Sequence, residues 1–199
     1  MKIVFNYLLL LGLAVSVMAY APSAEADSTF FTKRSMLTSF FPKSDKVSFK
    51  KFEPNKQQRQ TLKRQLGYEL SKSSYYFFVA TTNSAAGPVV DGYAFIDDEM
   101  GQHRPITFAV KLSPEGVVLR EEVMVYRESR GDEIRSPRFS KQFQGKTVRD
   151  SMRPNKDIDS VSGATISSRA ITIGVRRALV LFDTAITATQ PIRISQAGK

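Results

Sequence analysis

The chain has 199 residues, 42% of them hydrophobic and 24% charged, a globular composition at the size of one ordinary domain. It has no cysteine and a single histidine, which excludes a disulfide scaffold, a thiolate metal site, an iron–sulfur cluster, a cysteine nucleophile and a multi-histidine centre. With a formal net charge of +10, any chemistry falls to hydroxyls, carboxylates, Arg and Lys, or to a bound cofactor.

The predicted elements begin with a targeting segment. Met1-Lys2 is a short positive start, Ile3 to Tyr20 is almost wholly apolar, and Ala24-Glu25-Ala26 is a small-residue cleavage site. Residues 1–26 therefore read as a signal peptide cut after Ala26, which places the mature chain in the periplasm or otherwise outside the cytoplasm. An uncleaved N-terminal membrane anchor is the alternative, because the apolar run is nearly long enough to span a bilayer.

Residues 33–72 carry eleven Lys and Arg against Asp45, Glu53 and Glu69, a local charge of +8. A solvated basic face is the plain reading. Docking on an acidic redox partner comes next, since opposite charge speeds encounter, and contact with an anionic membrane surface is a further option. Export and the lack of interleaved aromatics argue against nucleic acid.

Asn55 caps a predicted helix over Lys56–Leu66 that Gly67 closes, with Leu62 and Leu66 as its apolar positions. Tyr75–Thr81 reads as a buried strand, with Tyr75 to Phe78 in the core. Gly87-Pro88 reads as a turn, and Gly92–Asp97 and Pro105–Leu112 as strands around a polar loop, 97–104. In that loop Asp97, Asp98 and Glu99 lack a full cation ligand set and read as a solvated turn. Ser113-Pro114-Glu115-Gly116 marks a turn before a strand over Val117–Tyr126. Phe139, Phe143 and Gly145 suggest a short helix and its end. A long helix follows over Ser167–Ile186, with Ala170, Ile173, Ala178, Leu181 and Ala185 near helical spacing. Strands joined by tight turns and flanked by helices predict an α+β fold: an antiparallel sheet with packed helices in a single small domain.

One segment carries chemistry. Asp159-Ser160-Val161-Ser162-Gly163-Ala164-Thr165 is a loop of small residues just before the long helix. Gly163 removes the side-chain barrier to close approach, and Ser162 and Thr165 offer hydroxyls. The free N–H groups of the helix start favour an anion. A phosphate could sit there; a loop that merely caps the helix is the commoner use of such residues.

The run matches Asp-x-x-Ser-Gly-Ala-Thr at every fixed position and resembles the flavinylation motif of the FMN-binding domain family. Upstream, Tyr126 to Ile134, Phe139 and Gln142 to Lys146 resemble the family's second characteristic block, so the resemblance covers roughly residues 90 to 183. It implies a domain order of signal peptide 1–26, basic N-terminal extension 27–89 with a helix and first strand, FMN-binding domain 90–186 and C-terminal tail 187–199. It implies FMN held by a phosphoester to the Thr165 hydroxyl. In this family an exported flavin transferase attaches it, taking FMN from FAD. Asp159, Ser162, Gly163 and Ala164 would then form the recognition and phosphate loop. Glu128, Ser129 and Gly131 would lie at the flavin ring, with Arg127 or Arg130 near an anionic reduced flavin; a strand end and a turn are the structural alternative for Glu128 and Gly131. No catalytic residue and no metal site is expected. The implied role is an electron carrier or flavin subunit of an oxidoreductase, working with a reductase, a cytochrome or a membrane quinone-linked complex. A redox-sensing regulator, or a non-redox module docking an acidic partner, is the alternative. The ion-pumping members of the family read Glu-Thr-Pro-Gly where this chain has Glu128-Ser129-Arg130-Gly131. That departure looks more like the flavin domain of nitrous-oxide-reduction regulators and of free-standing exported FMN-binding proteins.

Overall fold

The computed structural model describes residues 27–187; the predicted signal segment 1–26 and residues 188–199 lie outside the described residues. Its frame is a six-stranded antiparallel sheet in the order β1-β6-β5-β4-β3-β2. In chain order the elements are β1 (Ser28–Thr29), α1 (Lys33–Phe40), β2 (Lys46–Phe52), α2 (Lys56–Leu66), β3 (Tyr75–Ser84), β4 (Gly87–Met100), β5 (Pro105–Leu112), β6 (Val118–Tyr126), α3 (Pro137–Ser140) and α4 (Thr165–Ala185). Two short 3-10 turns, Asp132–Arg135 and Lys141–Phe143, flank α3. The α+β reading and the antiparallel meander are therefore observed.

Strand alternation sorts the side chains into two unequal faces. On the first, Phe77, Phe95, Phe108, Val110 and Leu112 meet Ile171, Val175, Leu179 and Phe182 of α4 to make the main core. Each such fully buried side chain contributes about 1.5–3 kcal/mol of hydrophobic stabilisation. On the second face Ala80, Ala94 and Ala109 place one methyl on each of three neighbouring strands. The shallow strip they make lets α1 approach closely and bury Met36 and Phe40.

Helix α2 begins and ends where its sequence signals stand. Asn55 Oδ1 accepts from the Gln58 N–H at 2.9 Å, the Gln58 side chain returns the bond, and Gly67 closes the helix in the left-handed conformation. Leu62 and Leu66 are its buried residues. The tight turn predicted at Gly87-Pro88 lies one step earlier, at Ala85-Ala86, and both Gly87 and Pro88 belong to β4.

The segment 97–104 differs from its sequence reading. Strand β4 continues through Met100 instead of ending at Asp97, and Asp97 and Glu99 point to the α4 side, where Arg177 meets both. Asp97 accepts from Arg177 Nη2 at 2.9 Å and also pairs with Lys72. Burial alone would lower the Arg177 pKa, but the two carboxylates outweigh it and hold the guanidinium firmly protonated. Asp97 and Glu99 are thus ion partners of Arg177 rather than members of a solvated turn, while Asp98 is exposed and accepts from the Thr107 hydroxyl. No group of three or more acidic or histidine ligands suited to a metal ion occurs among the described residues.

Candidate functional site

The motif loop arrives from a self-fastened bend. Asp157 accepts from the Ser151 hydroxyl, the Arg153 N–H at 2.8 Å and Arg153 Nε at 3.1 Å, and these bonds, the hydroxyl first, hold its carboxyl well below the usual carboxylate range. Met152 and Asn155 take positive φ there, and Asn155 Oδ1 accepts from the Ser160 hydroxyl. The Gln142 side chain then clamps the Asp159 backbone on both sides. Its Oε1 accepts the Asp159 N–H at 2.8 Å, and its Nε2 donates to the Asp159 carbonyl at 3.1 Å.

The next residues turn the chain into α4. Gly163 sits at φ +80° with open space where a side chain would stand. Ala164 is buried, and its N–H donates to the Val161 carbonyl. Ser168 Oγ reaches back to accept the Val161 N–H at 3.0 Å, bracing the loop against the first turn of the helix. Ser162, Gly163 and Thr165 remain exposed.

Helix α4 starts at Thr165 with no side-chain cap. Its first intrahelical bond runs from the Ser168 N–H to the Ala164 carbonyl. The N–H groups of Thr165, Ile166 and Ser167 have no acceptor among the described residues. This is not what a loop serving only as a cap would do, since Ser162 and Thr165 are hydroxyl residues of the capping type. Three unspent amides, a positive helix end and two exposed hydroxyls are groups that suit an anion.

The second sequence block meets the motif through two contacts. Tyr126 Oη lies 3.0 Å from Ser167 Oγ in the core and donates to the Arg130 carbonyl. Gly131, at φ +93°, packs against Ala164 so closely that a Cβ there would stand 3.2 Å from the Ala164 Cβ and 2.7 Å from Tyr126 Oη. Gly131 and Ala164 are thus one contact between the two blocks. Ser129 is exposed on the bend before it.

Glu128 is engaged elsewhere. Its Oε1 accepts the N–H groups of His103 at 2.7 Å and Arg104 at 3.0 Å, which fastens the 101–104 turn to the end of β6. Burial would raise its pKa, but these backbone donors outweigh it and keep the carboxyl below its ordinary value. Arg127 leaves on the far face of the sheet, where it bonds Asp27, the Pro105 carbonyl and Thr107 Oγ1.

Beside the loop lies a cleft of about 320 Å³ lined by Ser136, Arg138, Phe139, Gln142 and residues 159–162. Phe139 and Val161 supply apolar walls, Gln142 and Ser136 hydrogen-bonding groups, and Arg138 a cation. A larger groove of about 680 Å³ lies on the far face of the sheet and holds none of the motif residues. Of the two, the smaller cleft is the one that adjoins the motif loop. A phosphate fits the uncapped helix start, and an aromatic ring system fits an adjoining cleft of mixed polarity, so the residues present suit an FMN group.

Of the residues named from the sequence, the structure brings Asp159, Ser162, Gly163, Ala164 and Thr165 together on the motif loop and packs Gly131 against Ala164, while Glu128 is bonded to the 101–104 turn and Ser129 stands exposed on the bend. Sequence reasoning missed the supporting roles of Gln142, Tyr126, Ser167 and Ser168.

No curated protein matches the chain. Solved structures similar to the chain include the following two. NqrC of Shewanella oneidensis has a TM-score of 0.49 and 14% identity, over 75% of this chain and 86% of that one. A subunit of the Na(+)-translocating NADH-quinone reductase of Parabacteroides distasonis has a TM-score of 0.49 and 15% identity, over 81% of this chain and 86% of that one. Residues 101–180, which span β5, β6, the Gly131 bend, the motif loop and most of α4, match the model of the FMN-binding domain.

Proposed function

We propose that the protein is an exported flavoprotein that carries FMN through a phosphoester to Thr165 and serves electron transfer in an extracytoplasmic or membrane-associated respiratory chain. The observation that carries this reading is the start of α4: an exposed threonine at the first position of an uncapped helix, preceded by Gly163 at positive φ. FMN, when bound, supplies one- and two-electron redox chemistry. The protein's part is attachment and orientation. The Thr165 hydroxyl is the acceptor of the ester, and an exported flavin transferase delivers the group. The amides of Thr165, Ile166 and Ser167, with the Ser162 hydroxyl, hold phosphate oxygens. Gly163 keeps the loop slim enough for the transferase to reach Thr165, and the Gln142 clamp fixes its approach. Asp159 presents its exposed carboxylate to the transferase, away from the phosphate it would repel.

A covalent bond suits an exported carrier. A tether turns cofactor binding into an intramolecular contact at high effective concentration, so a ring left partly open to redox partners is not lost by dilution. The redox partner is a reductase, a cytochrome or a membrane quinone-linked complex.

Intact mass after co-expression with an exported flavin transferase tests the assignment. The chain gains the mass of FMN less one water, the balance for an ester of a phosphate and a hydroxyl, and the gain resides in tryptic peptide 157–169. Thr165→Val abolishes it. Thr165 is exposed with no side-chain partner among the described residues, so the variant folds; a mass gain that survives the substitution refutes the site.

A further inference from the structure

The basic stretch 33–72 is not one uniform face. Lys72 pairs with Asp97 and Lys63 with Glu69, Arg59 bonds the Leu70 and Lys72 carbonyls, and Lys50 reaches the Ala185 carbonyl. These cations belong to the fold's own bonding. Lys33, Arg34 and Lys46 make no ion pair among the described residues.

Those three border an apolar patch on the sheet face opposite α4. Edge strand β2 points Val47 and Phe49 to this face, next to Tyr76 and Phe78 of β3. Phe49 is 67% exposed, Tyr76 43% and Val47 38%, and Phe49 and Tyr76 pack edge to face at 6.0 Å. Two grooves meet beside them. One runs under Lys33 and along Phe49 and Tyr76 to Arg127, and the other lies between α1 and β2 with Arg34, Lys46 and Val47 in its walls. Lys33 stands over the Phe78 ring at 5.7 Å. Four acids lie close by. Asp97, paired with Lys72 and Arg177, and Asp98, which accepts from the Thr107 hydroxyl, line the first groove. Asp45 is turned to the Asn83 N–H, and Glu53 is paired with Lys51.

We propose that this face is a docking surface for an anionic lipid bilayer, with Phe49, Tyr76 and Val47 entering the headgroup region and Lys33, Arg34 and Lys46 meeting lipid phosphates. Protruding aromatics ringed by lysine are the composition of a bilayer interface, where an amphipathic ring finds apolar and wet surroundings together. Lysine stems can lie along apolar surface while their heads reach phosphate. A second observation gives the direction. The apolar run 3–20 of the sequence leads to Asp27, and Asp27 is held by Arg104 and Arg127 at the far end of the same groove. Where the run is retained as a membrane anchor instead of being cut after Ala26, the residue at which it joins the fold and the aromatic patch belong to one face. The inference does not rest on the flavin assignment.

The sequence has no tryptophan, so Phe49→Trp makes a sole indole reporter, excited at the red edge where the tyrosines do not absorb. The full exported chain is reconstituted with phosphatidylcholine vesicles that do or do not contain about 30 mol% phosphatidylglycerol. The indole emission of this variant shifts to the blue and is quenched by brominated acyl chains in the anionic vesicles only. Lys33→Ala/Lys46→Ala weakens that docking equilibrium about 30-fold, at about one lipid contact per lysine. A control reporter, Val148→Trp, stands exposed on a loop beside the C-terminal half of α4 and stays in water in both vesicle types. No shift of the Phe49→Trp emission in anionic vesicles overturns the proposal and leaves the patch to an acidic protein. An equal shift in zwitterionic vesicles, or a shift of the Val148→Trp control, overturns it as well.

Discussion

Glu121 offers a stability test of the core that involves no cofactor. It lies on β6 opposite Val110, is 1% exposed, and its Oε1 has no hydrogen-bond partner among the described residues. Burial first, and the nearby Glu122 second, push its carboxyl from the usual 4.5 up to about 8. An unfolded chain releases this proton near the usual value, while the folded chain keeps it. Between about pH 4.5 and 8 the folded state therefore binds more protons, and stability falls as pH rises. Each pH unit in that window costs about 1.4 kcal/mol, so the loss from about pH 5 to 7.5 is about 3 kcal/mol. Glu121→Gln keeps the shape and removes the titration. The variant should match the parent at pH 5 and exceed it by about 3 kcal/mol at pH 7.5, a gain of roughly 6–12 °C in melting temperature for a chain of this size. Urea unfolding across this range, in a His103→Asn background that removes the single histidine, reads the difference. Equal pH slopes in parent and variant would refute the reasoning.

Gly131→Ala forces a Cβ to 2.7 Å from Tyr126 Oη at a φ of +93°, and should cost about 1–3 kcal/mol in denaturant unfolding while lowering the yield of flavin-bearing chain. Arg177→Met leaves Asp97 and Glu99 facing a buried space without their shared cation, and should cost about 3–5 kcal/mol; adding Asp97→Asn should recover part of that loss, which a double-mutant cycle measures.

What could be read from the chain alone depended on whether a residue's partner was near in sequence. Helix α2 was legible because its cap, Asn55 to Gln58, and its closing Gly67 are local devices. The turn at 113–116 was legible for the same reason: Ser113 Oγ accepts from the Glu115 and Val117 N–H groups within five residues. Strand β2 was not legible, because its apolar side chains alternate with lysines on an exposed edge and it is held by β3, beyond the intervening helix α2. The strand character of Asp97–Met100 was hidden because its neutralising Arg177 lies 80 residues away. The site divides in the same way. The motif residues announce themselves as a contiguous run, whereas the Gln142 clamp and the Tyr126–Ser167 contact span 17 and 41 residues and use a backbone and a hydroxyl that carry no sequence signal. Glu128 was legible as a strand end, the structural alternative given for it, but the turn it fastens was not, since its donors are backbone amides two strands earlier.

On the proposed assignment the architecture separates the parts that hold the fold from the parts that hold the group. From Ile171 to Phe182 helix α4 is buried against β4 and β5, so its axis is set by core packing. Its first residue, Thr165, is exposed, and its side chain bonds nothing among the described residues. On the proposed assignment the cofactor hangs from the end of a rigid post, and its orientation derives from packing more than a turn away. Attachment and stability are then separable. Loss of the Thr165 hydroxyl removes the former and leaves the latter, while a change at Gly131, where the motif meets the β6 block, moves both. A site whose loop had been shaped by the flavin itself would not behave this way, because an unloaded chain would lose order at the loop and the two effects would travel together.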